Sequence, residues 1–345
     1  HGSALAQGYN HMILPLANAR DRRTQARWGV ADFEHRFGRK PEGMWLPETA
    51  VDLPTLEELA AAGIRFTILE PRQAARFRAI GAREWTEVNG ATLDPTMPYL
   101  CRLPSGAQIA LFFYDGPISR AVAFEGLLSR GEKLAGRLMG AFNDTRGRPQ
   151  LVHIATDGET YGHHHRFGEM ALAYALQLIE NNPGVRLTNY GQFLELHPPA
   201  HEVQIRERTA WSCVHGVGRW ERDCGCHTGS HPAWNQRWRA PLREGLDWLR
   251  DQIEPVYEQG MKDLLQDPWA ARDAYIDVVL SRTPARLDHF FQTQAAGALT
   301  AAERTRVLEG LEMQRHAMLM YTSCGWFFDD IGGIESVQVL QYAAR

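Results

Sequence analysis

The chain has 345 residues, of which 44% are hydrophobic and 23% charged, a balance typical of a globular protein with a substantial core. Its formal net charge is -4 and it has no long basic run, which argues against nucleic acid or a membrane surface as the main partner. No apolar run reaches the ~18 residues that a membrane-spanning helix needs.

Cysteine usage and the first residue bear on the cellular compartment. Five cysteines, an odd number, do not indicate a disulfide framework in a chain of this length. We therefore predict a reducing compartment and a cytoplasmic location. Because the chain begins with His1 rather than Met, we also expect a fragment whose own N-terminus, with any signal peptide, is missing.

The first 205 residues alternate between helical and extended patterns. Residues 21–37 carry apolar side chains at helical spacing, and Asp52 followed by Pro54 is typical of a helix start. The other predicted elements, in chain order, are an extended run over 42–48, a strand over 64–69, a hairpin turning at residues 104–106, a helical stretch over 117–142, a strand over 150–156, a helix over 167–181 and a last strand from 185. This order predicts an α/β fold with a parallel sheet, either open or closed into a barrel.

The character of the sequence changes after residue 205. Residues 206–240 are rich in Trp, Gly, Cys and His and show little periodicity, whereas the chain from 241 onward has helical patterns. We therefore predict two domains, an α/β barrel over 1–205 and a Trp- and Cys-rich loop with a helical domain over 206–345.

Two acidic residues follow predicted extended runs. Glu48 comes after Pro47, which removes a backbone donor and fixes the local φ, and Asp157 comes directly before Gly158. A helix-capping role for Glu48 and a turn role for Asp157 are the simpler alternatives. In barrels, however, active sites lie at the carboxyl ends of strands, and two carboxylates are what glycoside hydrolysis uses.

Three segments carry a resemblance to a known family. "MWLPETAVD" and "IATDGETYGHHH" resemble the motif pair of glycoside hydrolase family 57, and "YNHMILPL" is similar to that family's "T-H-x-x-L-P-L" segment. The resemblance covers essentially the whole chain, and within the family it is to a bacterial branch with an extra helical region. It implies an irregular (β/α)7 barrel followed by a helical domain, with Glu48 as nucleophile, Asp157 as general acid/base and His11 near the cleaved sugar.

The resemblance also implies the reaction. Family members act on α-glucans by a retaining double displacement, as amylases, 4-α-glucanotransferases or branching enzymes. Retention predicts carboxyl groups about 5–5.5 Å apart. We expect the pKa of Asp157 to be raised by burial and by the nearby Glu48. The family's opening "H-x-x-Q-P" strand has no match here, so we expect a barrel truncated at its N-terminus.

The histidine run His163, His164 and His165 leaves a second enzyme class open. An aspartate beside histidines is also how a metal-dependent carbohydrate deacetylase would begin. Three consecutive histidines cannot all face one ion, so we expect no catalytic metal and no cofactor, and we assign His163 to the sugar. A glucan-binding protein without working chemistry is the third alternative.

A second cluster lies in the loop after residue 205. It offers soft ligands from Cys213, His215, Cys224, Cys226, His227 and His231. The Cys-x-Cys spacing is tighter than the usual zinc pattern. A structural zinc site, a set of free thiols and an oxidisable cysteine pair all remain open.

Aromatic side chains are the predicted sugar-stacking surfaces. The resemblance implies that tryptophans after the barrel help to form the glucan groove, and we therefore assign stacking to Trp211 and Trp220. Trp326 with Asp329 is a weaker pair, and Trp45 is a further predicted substrate-binding residue. Plain packing stays the alternative for each tryptophan. Trp234, Trp238 and Trp248 are closer to helical spacing and are expected in the core. The predicted partner is an α-glucan, with no nucleic acid and no membrane, and the oligomeric state stays open.

Overall fold

The computed structural model describes residues 2–89, 92–229, 231 and 233–345. The strands are β1 (Ala6–Gln7), β2 (Met44–Trp45), β3 (Phe66–Leu69), β4 (Ala74–Ala79), β5 (Thr86–Glu87), β6 (Tyr99–Arg102), β7 (Gln108–Phe113) and β8 (His201–Ile205). The helices are α1 (Ala19–Phe37), α2 (Leu53–Ala61), α3 (Gly116–Phe124), α4 (Gly131–Met139), α5 (Gly168–Glu180), α6 (Tyr190–Leu196), α7 (Arg239–Met261), α8 (Pro268–Ala274), α9 (Ile276–Leu280), α10 (Pro284–Gln294), α11 (Ala301–Leu319), α12 (Cys324–Phe327) and α13 (Ile334–Ala343).

Contacts divide the chain into two compact units. The sheet unit consists of Arg65–Arg206 with residues 2–4, and the helical unit consists of Leu5–Ile64 and Glu207–Arg345. Residues 5–64 therefore pack with the C-terminal helices rather than with the sheet. The division of the sequence into domains over 1–205 and 206–345 stays a prediction.

The sheet unit contains a six-stranded sheet with the order β3-β7-β6-β8-β4-β5. The predicted hairpin is confirmed, because β6 and β7 pair antiparallel on either side of residues 104–106. The expectation of a parallel sheet is wrong for this unit. β3 pairs parallel with β7 and β6 parallel with β8, whereas β4 runs antiparallel to both β8 and β5.

Two predicted strands of the sheet unit are not strands. Residues 150–156 enter no ladder, and two of their backbone N–H groups bond to a loop carbonyl and to a side chain instead. Leu151 N–H donates to the Thr96 carbonyl oxygen and Ala155 N–H donates to Ser119 Oγ. Residues 185–189 form no strand either, and the Asn189 side chain caps α6.

The core of the helices in the sheet unit lies between α3, α4 and α5. The apolar residues of α4 and α5 recur at helical spacing and meet on one side of each helix. The predicted helical stretch over 117–142 is two helices, separated by the turn at residues 126–130. The buried members of this core are Ile118, Val122, Leu128, Leu134, Ala135, Ala175 and Ile179.

The helical unit contains β1 and β2, which pair parallel, and the helix α1, which packs against β1, α2, α8 and α9. The predicted start of α2 is confirmed, since the Asp52 side chain accepts a 2.8 Å hydrogen bond from Thr55 N–H. A buried ion pair fastens α1 to α8: Arg272 Nη1 lies 2.7 Å from Asp21 Oδ1. Losing one member of such a pair costs about 3–5 kcal/mol. No helix of the described residues has the length and apolar character to cross a membrane.

Candidate active site

Glu48 occupies a strained turn directly after β2. Its φ is 57° and that of the next residue, Thr49, is 51°, in the left-handed region that β-branched residues strongly disfavour. The turn is held by hydrogen bonds from Thr49 N–H to Leu46 O and from Trp211 N–H to Glu48 O. Backbone strain that is held by several contacts concentrates at functional sites.

The carboxylate of Glu48 is held by two donors from one segment. Trp211 Nε1–H donates to Oε2 at 2.8 Å, and Ser212 Oγ–H donates to the same oxygen at 2.7 Å. No hydrogen bond from the described residues reaches Oε1. The capping alternative for Glu48 is wrong, since Asp52 caps α2. The half-buried carboxylate is therefore oriented through one oxygen.

His11 also lies in the helical unit, again with a left-handed backbone (φ 54°). Its Nδ1 is 2.7 Å from Ser323 Oγ, so a serine fixes the ring. Cys324, which follows Ser323 in the sequence, lines a pocket of about 250 Å³ between α12 and α13. Desolvation there, and then the negative charges of Glu48 and Glu335, raise the pKa of the Cys324 thiol. Cys324 therefore lies within electrostatic reach of Glu48.

Sequence reasoning did not find Ser212, Ser323 and Cys324 as neighbours of the predicted residues. Ser212 follows Trp211 directly, and Ser323 precedes the predicted stacking residue Trp326 by three positions. Only their closeness in sequence to the predicted tryptophans could have indicated these residues. The residues that the two serines contact, Glu48 and His11, lie more than 150 positions away along the chain.

The predicted stacking residues fall into two classes. Trp45 and Trp211 are half-buried, and their rings meet edge to face with centroids 5.2 Å apart. Trp220 and Trp326 are 0% exposed, so in this structure they are core residues and offer no ring face to a sugar. Their burial gives no support to a stacking role for Trp220 and Trp326. The expectation that Trp234 and Trp248 lie in the core is wrong, because these side chains are 46% and 65% exposed.

Trp326 and its predicted companion Asp329 have structural partners. Trp326 Nε1–H donates to Arg239 O, and its ring lies against the Arg243 guanidinium at 4.1 Å. Asp329 is buried and accepts hydrogen bonds from Thr228 N–H at 2.8 Å and Thr228 Oγ–H at 2.6 Å. Asp329 therefore anchors a loop.

Asp157 lies in the sheet unit, directly after residues 150–156. It precedes a short helical turn, Gly158–Thr160, but its side chain does not cap that turn. The residue is exposed, which contradicts the expectation that burial isolates its carboxyl group. Asp157 is thus open to solvent. The segment before it is held beside the end of β7, because Asp115 N–H donates a 2.9 Å hydrogen bond to His153 O.

Two residues that sequence reasoning missed lie at this edge of the sheet. Glu70 follows β3 and Tyr114 follows β7, and because these strands are parallel neighbours their carboxyl ends meet. Burial, then the charges of Glu70 and Asp157, raise the pKa of Tyr114. Burial also raises the pKa of Glu70, against the opposing effect of Arg72. Asp157 therefore belongs to a group of ionisable side chains that only the strand order brings together.

The histidine run does not converge on one point. His163 and His164 are exposed, with ring centroids 4.9 Å apart. His165 Nε2–H donates to Ala123 O at 2.8 Å. The sugar-binding role of His163 stays a prediction. The described residues assemble one group of close metal-ligand side chains, Cys213, His215, Cys224 and Cys226, all of them in the helical unit.

The comparison with known families accounts for most of the chain. A family model described as glycosyl hydrolase family 57 matches residues 3–206. A second model, described as a domain of unknown function (DUF3536), matches residues 234–345. By sequence, no curated protein matches this chain.

Solved structures share the fold. A maltose-forming amylase from Pyrococcus sp. ST04 superposes with a TM-score of 0.79 at 16% identity, over 99% of this chain and 60% of its own. A branching enzyme from Thermococcus kodakaraensis gives a TM-score of 0.61 at 17% identity, over 99% and 63%. A 4-α-glucanotransferase from Thermococcus litoralis gives a TM-score of 0.57 at 14% identity, over 98% and 46%. The expected barrel-like α/β fold with a helical C-terminal region is confirmed, and this chain spans about 60% of the first two proteins.

Proposed function

The chain belongs to glycosyl hydrolase family 57, and from that premise we propose that it is a retaining glycoside hydrolase or glucanotransferase acting on α-glucans. In this proposal Glu48 is the nucleophile and Asp157 is the general acid/base. The observation that carries it is the Glu48 carboxylate, fixed through Oε2 by Trp211 and Ser212 on a strained turn.

The surroundings of Glu48 fit what a nucleophile needs. Attack on an anomeric carbon requires a carboxylate oxygen held in one direction before substrate arrives. The indole N–H of Trp211 can only donate, so it orients the carboxylate without competing for the substrate. Oε1 would form the bond to the anomeric carbon, and Oε2 would keep its two donors throughout.

The surroundings of Asp157 fit a group that exchanges protons. In the first step it would protonate the leaving glycosidic oxygen, and in the second it would take a proton from the incoming acceptor. Such a group must be reached by the leaving sugar and by water, and an exposed position supports both. The Glu70 and Tyr114 side chains would set its electrostatic environment.

The substrate class is part of the proposal. The solved structures of similar fold are described as an amylase, a branching enzyme and a glucanotransferase. We propose an α-glucan bound against Trp45 and Trp211, whose rings are partly exposed, with His11 and His163 as further sugar contacts. The acceptor would be water in hydrolysis or a second glucan in transfer. We also propose a cytoplasmic location, on the odd cysteine count, with neither nucleic acid nor membrane as partner.

The test is the stereochemistry of the first product. Purified protein would be incubated with maltoheptaose and followed by proton NMR, with Glu48→Gln as the inactive reference and the metal content of the same sample measured. The proposal expects α-anomeric product that appears before mutarotation, and longer oligosaccharides if transfer occurs. Initial β product would overturn retention.

Two further outcomes would each replace the proposal. Release of acetate from an acetylated sugar, together with a metal ion that Asp157→Asn removes, would establish the deacetylase alternative. Maltoheptaose binding measured by tryptophan fluorescence, without turnover in wild type, would leave a glucan-binding protein.

A further inference from the structure

Four soft ligand atoms converge in the loop before α7. The thiols of Cys213, Cys224 and Cys226 and the ring of His215 offer one atom each, and these atoms all lie within 4.8 Å of one another. Cys213 is buried, whereas the other two cysteines are half-buried. We infer that Cys213, His215, Cys224 and Cys226 form a structural zinc site.

Three of the six distances between the ligand atoms match a tetrahedral zinc centre, and all six are at most 4.8 Å. Two zinc–sulfur bonds of about 2.3 Å that meet at the tetrahedral angle place their sulfurs about 3.8 Å apart. The Cys213 Sγ to Cys224 Sγ distance is 3.8 Å, and the Cys226 Sγ to Cys213 Sγ distance is 3.7 Å. Replacing one sulfur by an imidazole nitrogen shortens the ideal spacing to about 3.5 Å. The Cys226 Sγ to His215 Nδ1 distance is 3.5 Å.

The same distances do not describe a disulfide. A sulfur–sulfur bond is about 2.05 Å long, so the pairs Cys213–Cys224 and Cys213–Cys226, at 3.8 and 3.7 Å, would each have to close by more than 1 Å. Cys213 is also nearly equidistant from both partners, which favours a shared centre over one chosen pair. Three thiolates with one imidazole in a tetrahedral arrangement are the donor set that zinc prefers among divalent cations.

The backbone is shaped to bring these ligands together. Gly225 separates the two nearby cysteines and has a φ of 83°, a turn that other residues adopt only at a cost. Gly216, beside His215, has a φ of 76°, and a Cβ there would lie 2.4 Å from the Arg208 carbonyl oxygen. The glycine between the two cysteines therefore allows the backbone to turn sharply enough for both thiols to face one point, although the Cys-x-Cys spacing is tighter than the usual zinc pattern.

Buried positive charge surrounds the cluster. Three thiolates and one Zn²⁺ carry a net charge of about −1. Arg239 is 0% exposed and donates from Nη1 to Cys226 O at 2.8 Å, and Arg219 is also buried. Residues around metal sites commonly form hydrogen bonds of this kind, which hold the ligand-bearing segment in place. A metal centre with a net charge of about −1 would offset part of the two guanidinium charges.

The site has a consequence for Glu48, and this step rests on the proposed function. Cys213 follows directly after Trp211 and Ser212, the two residues that orient the Glu48 carboxylate. Zinc would fix one end of that segment. We therefore expect the metal to position the nucleophile without contacting substrate.

The experiment measures zinc in the untagged full chain, purified under reducing conditions, by mass spectrometry of the elements. We expect about one zinc per chain in wild type, and about a tenfold loss in Cys224→Ser and in His215→Ala. The controls are Cys101→Ala, a buried cysteine outside the cluster, and His227→Ala, an exposed histidine of the same loop; both should keep the metal.

Substitution of the metal by cobalt shows whether thiolates are ligands. It uses wild-type protein, so the result does not depend on whether a variant folds. Wild-type protein stripped by a chelator and reloaded with Co²⁺ should show a tetrahedral spectrum with thiolate charge transfer. Three results would each overturn the inference. The first is zinc that persists equally in all four variants, and the second is reduced wild type with neither zinc nor a thiolate–cobalt band. The third is a disulfide among the three cysteines. Glu48→Gln should keep its zinc, so a failure of the catalytic proposal leaves this result intact.

Discussion

The two proposed catalytic carboxylates have opposite surroundings. Glu48, in the helical unit, is half-buried on a left-handed turn and accepts hydrogen bonds from an indole and a hydroxyl. Asp157, in the sheet unit, is exposed and does not cap the turn that follows it. A nucleophile needs a fixed direction toward one atom, whereas a general acid/base must be reached by the leaving group and by the acceptor. The contrast is compatible with the two proposed roles, which stay a proposal.

Removing the fixed carboxylate should have the largest effect. Glu48→Gln keeps the shape of the side chain but removes the charge that attacks the anomeric carbon. We expect kcat for maltoheptaose to fall by a factor on the order of 10⁴. The matched control is Glu244→Gln, an exposed glutamate of α7 in the same unit, which should retain wild-type rates. Wild-type turnover in Glu48→Gln would show that the nucleophile is another residue.

Asp157→Asn should have the next largest effect, and its size should depend on the leaving group. General acid catalysis contributes about 10²–10⁴-fold, so we expect a loss in that range with maltoheptaose. An aryl glucoside with an acidic phenol leaves without protonation, and its first step should be much less affected. Asp144→Asn, exposed in the same unit, serves as the control. An equal loss on both substrates would indicate damage to the fold instead of a lost proton donor.

The segment that carries Asp157 should be sensitive to acid. Burial lowers the pKa of His153 to about 4, and the neutral ring lies between Tyr190 Oη and Pro95 O at 3.0 and 3.1 Å. Between about pH 6.5 and pH 4, His153 binds a proton in the unfolded chain but stays neutral in the folded chain. Stability should therefore fall as the pH drops from about 6.5 to about 4, by at most about 3 kcal/mol, and then level off.

The measurement is urea unfolding of wild type and His153→Gln over that pH range. Since only wild type carries the depressed imidazole, its stability advantage over the variant should shrink toward pH 4. A stability difference that is the same at pH 7.5 and pH 4 would mean that His153 does not carry this pH dependence.

The sequence predicted local structure better than contacts between distant segments. The start of α2 at Asp52 and the hairpin of β6 and β7 depend on capping and turn residues only a few positions apart. Residues 150–156 have the apolar pattern of a strand, but a pattern does not name a partner, and here the partners are loops and Ser119.

The candidate site shows the same limit. The motifs located Glu48 and Asp157, while Glu70 and Tyr114 became visible only through the parallel pairing of β3 with β7. Aromatic composition could not separate Trp211, which contacts Glu48, from Trp220, which is 0% exposed. Both are tryptophans of one loop, and only packing distinguishes them.

One hydrogen bond from an indole N–H holds the Glu48 carboxylate. Trp211→Phe keeps an aromatic ring but removes the Nε1–H that donates to Glu48 Oε2 at 2.8 Å. A hydrogen bond to a charged group is worth about 1.5–3 kcal/mol, which corresponds to a fall in kcat of roughly 10- to 100-fold. KM should change little, because the stacking face is retained. Trp248→Phe, 65% exposed on α7, is the matched control. If Trp211→Phe instead raised KM and left kcat unchanged, Trp211 would act on the sugar alone, and Glu48 would owe its orientation to Ser212 and to the strained turn.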